Sequence, residues 1–307
     1  MLEKMKIKDK IRQHRLRCKN REIPLGVGCA HIGKGETTVA QDVDLLLACY
    51  EKGFRYFDTS RQYAESEVSV GEFIKNVPRE SLYIATKSPC PGWDFEIFKR
   101  NFYESFKRLR VDYIDVFQIH DTDHFGRCEA HIVPFLEDRR SEGLIGYIGM
   151  GTRSLNAHEN GVACGAIQSS LSYLNYSVQN KAATHLIEIC KKYGAAFVNA
   201  SVFSYGMLHM ENLLDFTKNP GEAEKRRRIA AHEIRELCRS MGISIFDVAT
   251  QMSLLNPGID MTLIGIRRME NLASTLASLE AVIYPEQWAR IFALQDEFPL
   301  MYIQDNL

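Results

Sequence analysis

Four residues of this 307-residue chain have the types and the placement to share one reaction: Asp58, Tyr63, Lys87 and His120. A carbonyl carbon that accepts a hydride builds negative charge on its oxygen, and that oxygen needs a proton donor in place. A phenol titrates near 10 and is a sluggish acid at neutral pH. An ammonium beside it favours the phenolate and eases proton release. A carboxylate then balances the ammonium, which would be costly unpaired in a dry site. An imidazole can donate a hydrogen bond to the carbonyl and orient it. Tyr63, Lys87, Asp58 and His120 fill these roles in turn, and the same set run backwards oxidises an alcohol. Each has a plainer reading alone: a strand-end Asp caps a turn, a Lys is solvated, a His fills a core. Their joint placement favours chemistry.

That placement comes from eight short runs rich in Val, Ile, Tyr and Phe, which read as strands: Ile23–Cys29, Arg55–Asp58, Leu82–Lys87, Asp112–His120, Leu144–Met150, Ala166–Leu171, Ala196–Ser201 and Met261–Ile266. Between them lie helical periods. Phe95, Phe98, Phe102, Phe106 and Leu109 recur every three or four positions, and Leu186, Ile187, Cys190 and Tyr193 do the same before Gly194. Alternating β and α units imply a parallel sheet with right-handed crossovers, and eight units close into a (β/α)8 TIM barrel. The rival, an open doubly wound sheet, would favour a glycine-rich phosphate loop after the first strand. Gly26-Val27-Gly28-Cys29-Ala30-His31 lacks that pattern. In a barrel the C-terminal strand ends converge on one mouth, which is where Asp58, Lys87 and His120 fall. Alternation along the fourth strand points Gln118 and His120 inward and Phe117 and Ile119 towards the helices.

The remaining features narrow the class. A net charge of -1 gives no electrostatic case for nucleic acid or membrane partners, and no apolar run is long enough to span a bilayer. The basic N-terminus has no apolar signal region, so a cytoplasmic location is expected. The eight cysteines are scattered without zinc-ligand spacing and read as reduced thiols. One domain over 1–307 is expected, with an N-terminal hairpin in 1–22 and a helix and tail in 281–307. The basic run Lys225–Arg228 opens a helix and reads as a solvated face, a phosphate contact being the sharper alternative.

The segment from Gly53 through Asp58-Thr59-Ser60-Arg61-Gln62-Tyr63-Ala64-Glu65-Ser66-Glu67 resembles the aldo-keto reductase pattern G-x-x-x-x-D-T-A/S-x-x-Y-G-x-S-E. Thr86-Lys87 resembles that family's T-K strand, and Asp115-Val116-Phe117-Gln118-Ile119-His120 its D-x-x-x-x-H strand. The resemblance spans residues 24–280 or so. It implies a catalytic tetrad of Asp58, Tyr63, Lys87 and His120 and a nicotinamide dinucleotide extended across the barrel mouth. It assigns Gln168 to the carboxamide. Thr152 stands in for the family's Ser-Asn pair, which Gly149-Met150-Gly151-Thr152-Arg153 does not preserve. Ala200 falls where the family stacks a Tyr, so Phe203 or Tyr205 must compensate. The Asn199–Leu208 segment looks more like the sugar (aldose/galactose) dehydrogenase branch than the steroid or aldose reductase branch. Gly28, Gly265, Arg267, Arg268 and Asn271 complete the implied cofactor contacts, and the two arginines favour NADP(H) over NAD(H). Specificity loops bring His31, Trp93 and His124 to a small-molecule carbonyl or alcohol substrate. No metal is implied, and the oligomeric state is open.

Two other readings stay open at this level. One is a cofactor-binding regulatory protein on the same barrel with little turnover, like the potassium-channel β subunits. The other is a barrel metallohydrolase with His120, Asp121, Asp123 and His124 around a metal.

Overall fold

In a computed structural model of the chain, residues 5–90, 94–120 and 122–299 are described. Eight parallel strands close into a barrel: β1 (Leu25–Gly28), β2 (Tyr56–Asp58), β3 (Tyr83–Pro89), β4 (Ile114–His120), β5 (Ile145–Thr152), β6 (Ser169–Tyr173), β7 (Ala196–Ala200) and β8 (Met261–Gly265). Strands pair in sequence order, and β8 closes the ring by pairing with both β7 and β1. The eight expected strands are all present. β6 begins three residues later than its sequence suggests, with consequences at Gln168.

Alternation sorts each strand into two faces. Outward residues such as Phe57 and Phe117 pack under the helices, Phe57 with Phe73 at 4.9 Å and Phe117 with Phe102 at 4.6 Å between ring centroids. The helix Phe95–Leu109 is set by its five-residue apolar stripe. Asp94 caps its start by accepting from the amides of Glu96 and Ile97, and Arg110 ends it in the left-handed conformation. Phe98, Phe102 and Leu109 are its buried face. Truncating Phe102 to Ala would cost about 3–5 kcal/mol by the usual cavity penalty.

Inward residues form layers. Tyr56, Tyr83, Ala85, Val116, Leu171, Val198 and Met261 make an apolar lower layer. Above it, on the same faces, come Asp58, Lys87, Gln118 and His120, all buried. The N-terminal region holds more than the expected hairpin. Strands Leu16–Cys18 and Arg21–Ile23 pair antiparallel, but a helix, Ile7–Gln13, precedes them and buries Ile7 and Ile11 against the lower layer. The helix Pro285–Glu297 follows the last barrel helix, with Ile291 and Gln295 buried.

Candidate active site

The loop that carries Tyr63 is zippered to its neighbours by backbone. The Thr59 and Arg61 amides donate to the carbonyls of Ala85 and Lys87, and the Glu65 amide donates to Gly33. Gly33 has φ +71°, and a Cβ there would lie 2.4 Å from backbone atoms of Glu65 and Ser66, so only glycine lets the two loops dock this closely. Arg108 braces the other side, donating to the Ala64 carbonyl at 2.6 Å and pairing with the buried Glu67.

Lys87 lies at the centre. Its ammonium donates to Asp58 Oδ1 and, at 2.9 Å, to the Thr59 carbonyl, and sits 4.9 Å from the centroid of the Tyr63 ring. Gln118 donates to the other Asp58 oxygen at 2.8 Å. Burial alone would lower the Lys87 ammonium. The Asp58 carboxylate and the Tyr63 phenol, as charges and as hydrogen-bond partners, outweigh burial and hold the ammonium above its ordinary value. Burial pushes the Asp58 carboxyl up, against the pull of Lys87 and Gln118. His120 stands edge-on to Tyr63, with ring centroids 6.1 Å apart. Burial first, then the Lys87 charge, presses its imidazole well below the ordinary value, so it is neutral at physiological pH. Ser60 Oγ lies 3.2 Å from His120 Nδ1 and 3.2 Å from the Lys87 carbonyl. The four residues singled out in the sequence therefore meet at one end of the barrel.

They open onto a cleft of about 1050 Å³ that runs from Tyr63, His120 and Asp58 to Arg267, Arg268, Asn271 and Ser278. Gly28, His31, Phe203, Gly265, Arg267, Arg268 and Asn271 lie on its wall. Three expectations fail. Gln168 precedes β6 at the floor of the barrel, and its side chain binds backbone, accepting from the Ile148 amide and donating to the Gly165 and Ala166 carbonyls. It cannot reach the mouth. Thr152 ends β5, but its hydroxyl donates to the Thr122 carbonyl and accepts from the Ser154 amide, so both functions are used and it does not line the cleft. His124 is exposed, 3.7 Å from Asp123, and is not on the cleft wall. Trp93 lies outside the described residues. Among the described residues, no group of three or more His, Cys, Asp or Glu side chains is placed to hold a metal.

Sequence reasoning missed part of the wall. Leu171 and Tyr173 on β6, His209, Phe246, Asp247 and Thr250 all face the cleft. His209 stacks on Phe246 with centroids 4.5 Å apart, and Phe203 meets both rings edge-on. The Thr250 hydroxyl is buried on this wall with no hydrogen-bond partner among the described residues. A long cleft with an orphaned buried hydroxyl, an aromatic stack and two arginines at its far end fits an extended dinucleotide.

The aldo/keto reductase family profile matches residues 24–296. The chain is 28% identical over 294 residues to L-galactose dehydrogenase of Arabidopsis thaliana, covering 85% of this chain and 90% of that one. It is 25% identical over 308 residues to D-threo-aldose 1-dehydrogenase of a Pseudomonas species, covering 87% and 92%. Its fold is shared with an aldo-keto reductase from Klebsiella pneumoniae in complex with NADPH, at a TM-score of 0.69 and 18% identity over 95% of this chain and 98% of that one. It is shared also with the holo form of an aldo-keto reductase from Bacillus halodurans, at a TM-score of 0.72 and 21% identity over 91% and 95%. Barrel, mouth and matches together define an oxidoreductase that acts on carbonyl or alcohol groups with a nicotinamide cofactor. The chain belongs to the aldo/keto reductase family.

Proposed function

We propose that this protein reduces a small carbonyl compound, or oxidises the matching alcohol, with Tyr63 as general acid and base and NADP(H) favoured over NAD(H). One observation carries the reading: a buried ammonium, Lys87, held between the Asp58 carboxylate and the Tyr63 phenol at the mouth of the barrel. The bound nicotinamide supplies or accepts the hydride. Gly28, Phe203, Gly265, Arg267, Arg268 and Asn271 would hold the dinucleotide, with Thr250 and Ser278 on the same wall.

The chain's own residues handle the proton. As the carbonyl carbon gains the hydride, its oxygen takes the proton from Tyr63 Oη and the alcohol forms. The phenolate left behind is stabilised by the Lys87 ammonium, which Asp58 and Gln118 hold in place. His120, neutral in its buried setting, orients the carbonyl. The Ser60 hydroxyl, which donates to the Lys87 carbonyl and lies 3.2 Å from His120 Nδ1, fixes the orientation of the ring. The two arginines where β8 runs into helix Met269–Glu280 suit a 2′-phosphate, which underlies the NADP(H) preference. The sugar dehydrogenases among the relatives support a polyhydroxylated or similarly polar substrate.

A Tyr63→Phe variant tests the assignment. It should bind NADPH with unchanged affinity in a fluorescence titration and lose turnover by about 10²-fold or more, the usual weight of a positioned acid. Full activity in this variant overturns the mechanism.

A further inference from the structure

Tyr63 is followed by a residue in an unfavourable backbone conformation. Ala64 has φ +44°, in the left-handed region, where its Cβ crowds the following carbonyl oxygen. Glycine enters that region freely and alanine does not. The turn that Ala64 completes also fixes Tyr63. The Tyr63 amide donates to the Ser60 carbonyl at 3.0 Å, and the Ser66 amide donates to the Tyr63 carbonyl at 2.8 Å. Ala64 itself is exposed, so packing of its methyl group is not what keeps it there.

A guanidinium two elements away does so. Arg108 lies in the last turn of the helix Phe95–Leu109 and donates from Nη2 to the Ala64 carbonyl at 2.6 Å. Its Nε stands 3.3 Å from the carboxylate of Glu67, a side chain with no exposure at all. The planar guanidinium can serve both partners at once because its donors form a rigid fork. Arg108 reaches them because the helix Ser66–Ile74 crosses it closely at Gly71, where an added Cβ would lie 2.4 Å from the Arg108 carbonyl. Glu67 in turn accepts from the Thr86 hydroxyl at 2.7 Å. Thr86 is the residue before Lys87 on β3. An unbroken chain of polar contacts therefore runs from the strand that carries the ammonium, through Thr86, Glu67 and Arg108, to the residue after the phenol. A buried carboxylate is costly wherever it stands, and here it ties together the two carriers of the reactive pair.

We infer that Arg108 and Glu67 are positioning residues for the reaction: they hold Ala64 in its left-handed turn and thereby keep the Tyr63 phenol against the Lys87 ammonium. This rests on the proposed role of Tyr63 and adds to it the device that sets its place.

A rescue experiment tests the inference. Arg108→Gln should lower kcat about tenfold, the weight of a left-handed alanine relaxing out of its turn, and leave the NADPH dissociation constant unchanged. Adding Ala64→Gly should recover most of that kcat, because glycine keeps the turn without help. If Arg108 served only the stability of the fold, the glycine would loosen the loop further and the double variant would be no faster. A native kcat in Arg108→Gln, or a double variant no faster than the single one, overturns the inference. Should Arg108→Gln fail to fold in a thermal melt, Arg108→Lys gives the same comparison, since it keeps a cation for Glu67 but lacks the fork that holds both partners. Titration of the Tyr63 phenol separates this inference from the proposed chemistry, since it needs no turnover. Followed as the ultraviolet difference between each protein and its own Tyr63→Phe counterpart, it should move to higher pH in Arg108→Gln as the phenol leaves the ammonium, and return in the double variant. An unmoved titration counts against the inference, whereas full activity in Tyr63→Phe counts against the proposed chemistry alone.

Discussion

The stem of Lys87 crosses the face of Gly151, where an added Cβ would stand 3.1 Å from Lys87 Cδ and 3.8 Å from His120 Cδ2. The glycine on β5 is thus the floor on which the ammonium and the imidazole are set. Gly151→Ala should fold, because the nearest atom belongs to a flexible stem, but it should displace the ammonium. A shift of a fraction of an ångström at this point should lower kcat by about 10- to 100-fold. Steady-state kinetics beside a thermal melt check this: a large loss of kcat with a Tm change of a few degrees is the expected pattern, and unchanged kcat contradicts it.

Lys87 and Asp58 are buried together, so removing one leaves the other exposed to the full cost of burial. Lys87→Met should destabilise the fold by about 3–5 kcal/mol in urea melts. The double variant Lys87→Met with Asp58→Asn should recover much of that stability and none of the turnover. Recovery of turnover would show that the pair is there for packing alone.

Acid should weaken the fold through its buried histidines. Burial pushes the His158 imidazole down to about 4, despite its hydrogen bonds to backbone carbonyls, among them that of Thr152. An unfolded histidine titrates near 6.5, so between pH 6.5 and about 4 the unfolded chain binds a proton that the folded chain refuses. Stability therefore falls as pH drops through that window, by about 3 kcal/mol from His158. His120 acts in the same direction. Urea melts at pH 7.5 and 5 should show the loss, and His158→Gln should flatten it.

The cofactor preference turns on the arginines after β8. Arg268 is exposed, and Arg267 pairs with Glu36 from the loop after β1. Changing both to Ala should raise the NADPH dissociation constant about tenfold or more and leave NADH binding nearly unchanged. An equal loss for both cofactors would remove the 2′-phosphate from the argument.

The barrel and the reactive quartet were legible because both rest on local rules. Period-two alternation put Asp58, Lys87, Gln118 and His120 on inward faces, and the strand ends put them at one mouth. Gln168 was misplaced because β6 reads Ser-Ser-Leu-Ser-Tyr, with too little apolar or β-branched character to mark its start. The glutamine lies before the strand and serves backbone donors and acceptors at the floor. Thr152 was placed at the correct strand end, but sequence does not show that neighbouring backbone already occupies its hydroxyl. Tyr173, His209, Phe246 and Thr250 were missed as wall residues because more than seventy positions of chain fold back to bring them together.

The helix Ile7–Gln13 stoppers the base of the barrel. Ile7 and Ile11 are sunk among the lower-layer side chains, and Tyr147 donates to the Met5 carbonyl at 2.6 Å to pin the segment down. The interior below the reactive quartet is consequently a sealed, packed plug, so small molecules reach Lys87 and Tyr63 from the opposite, open end.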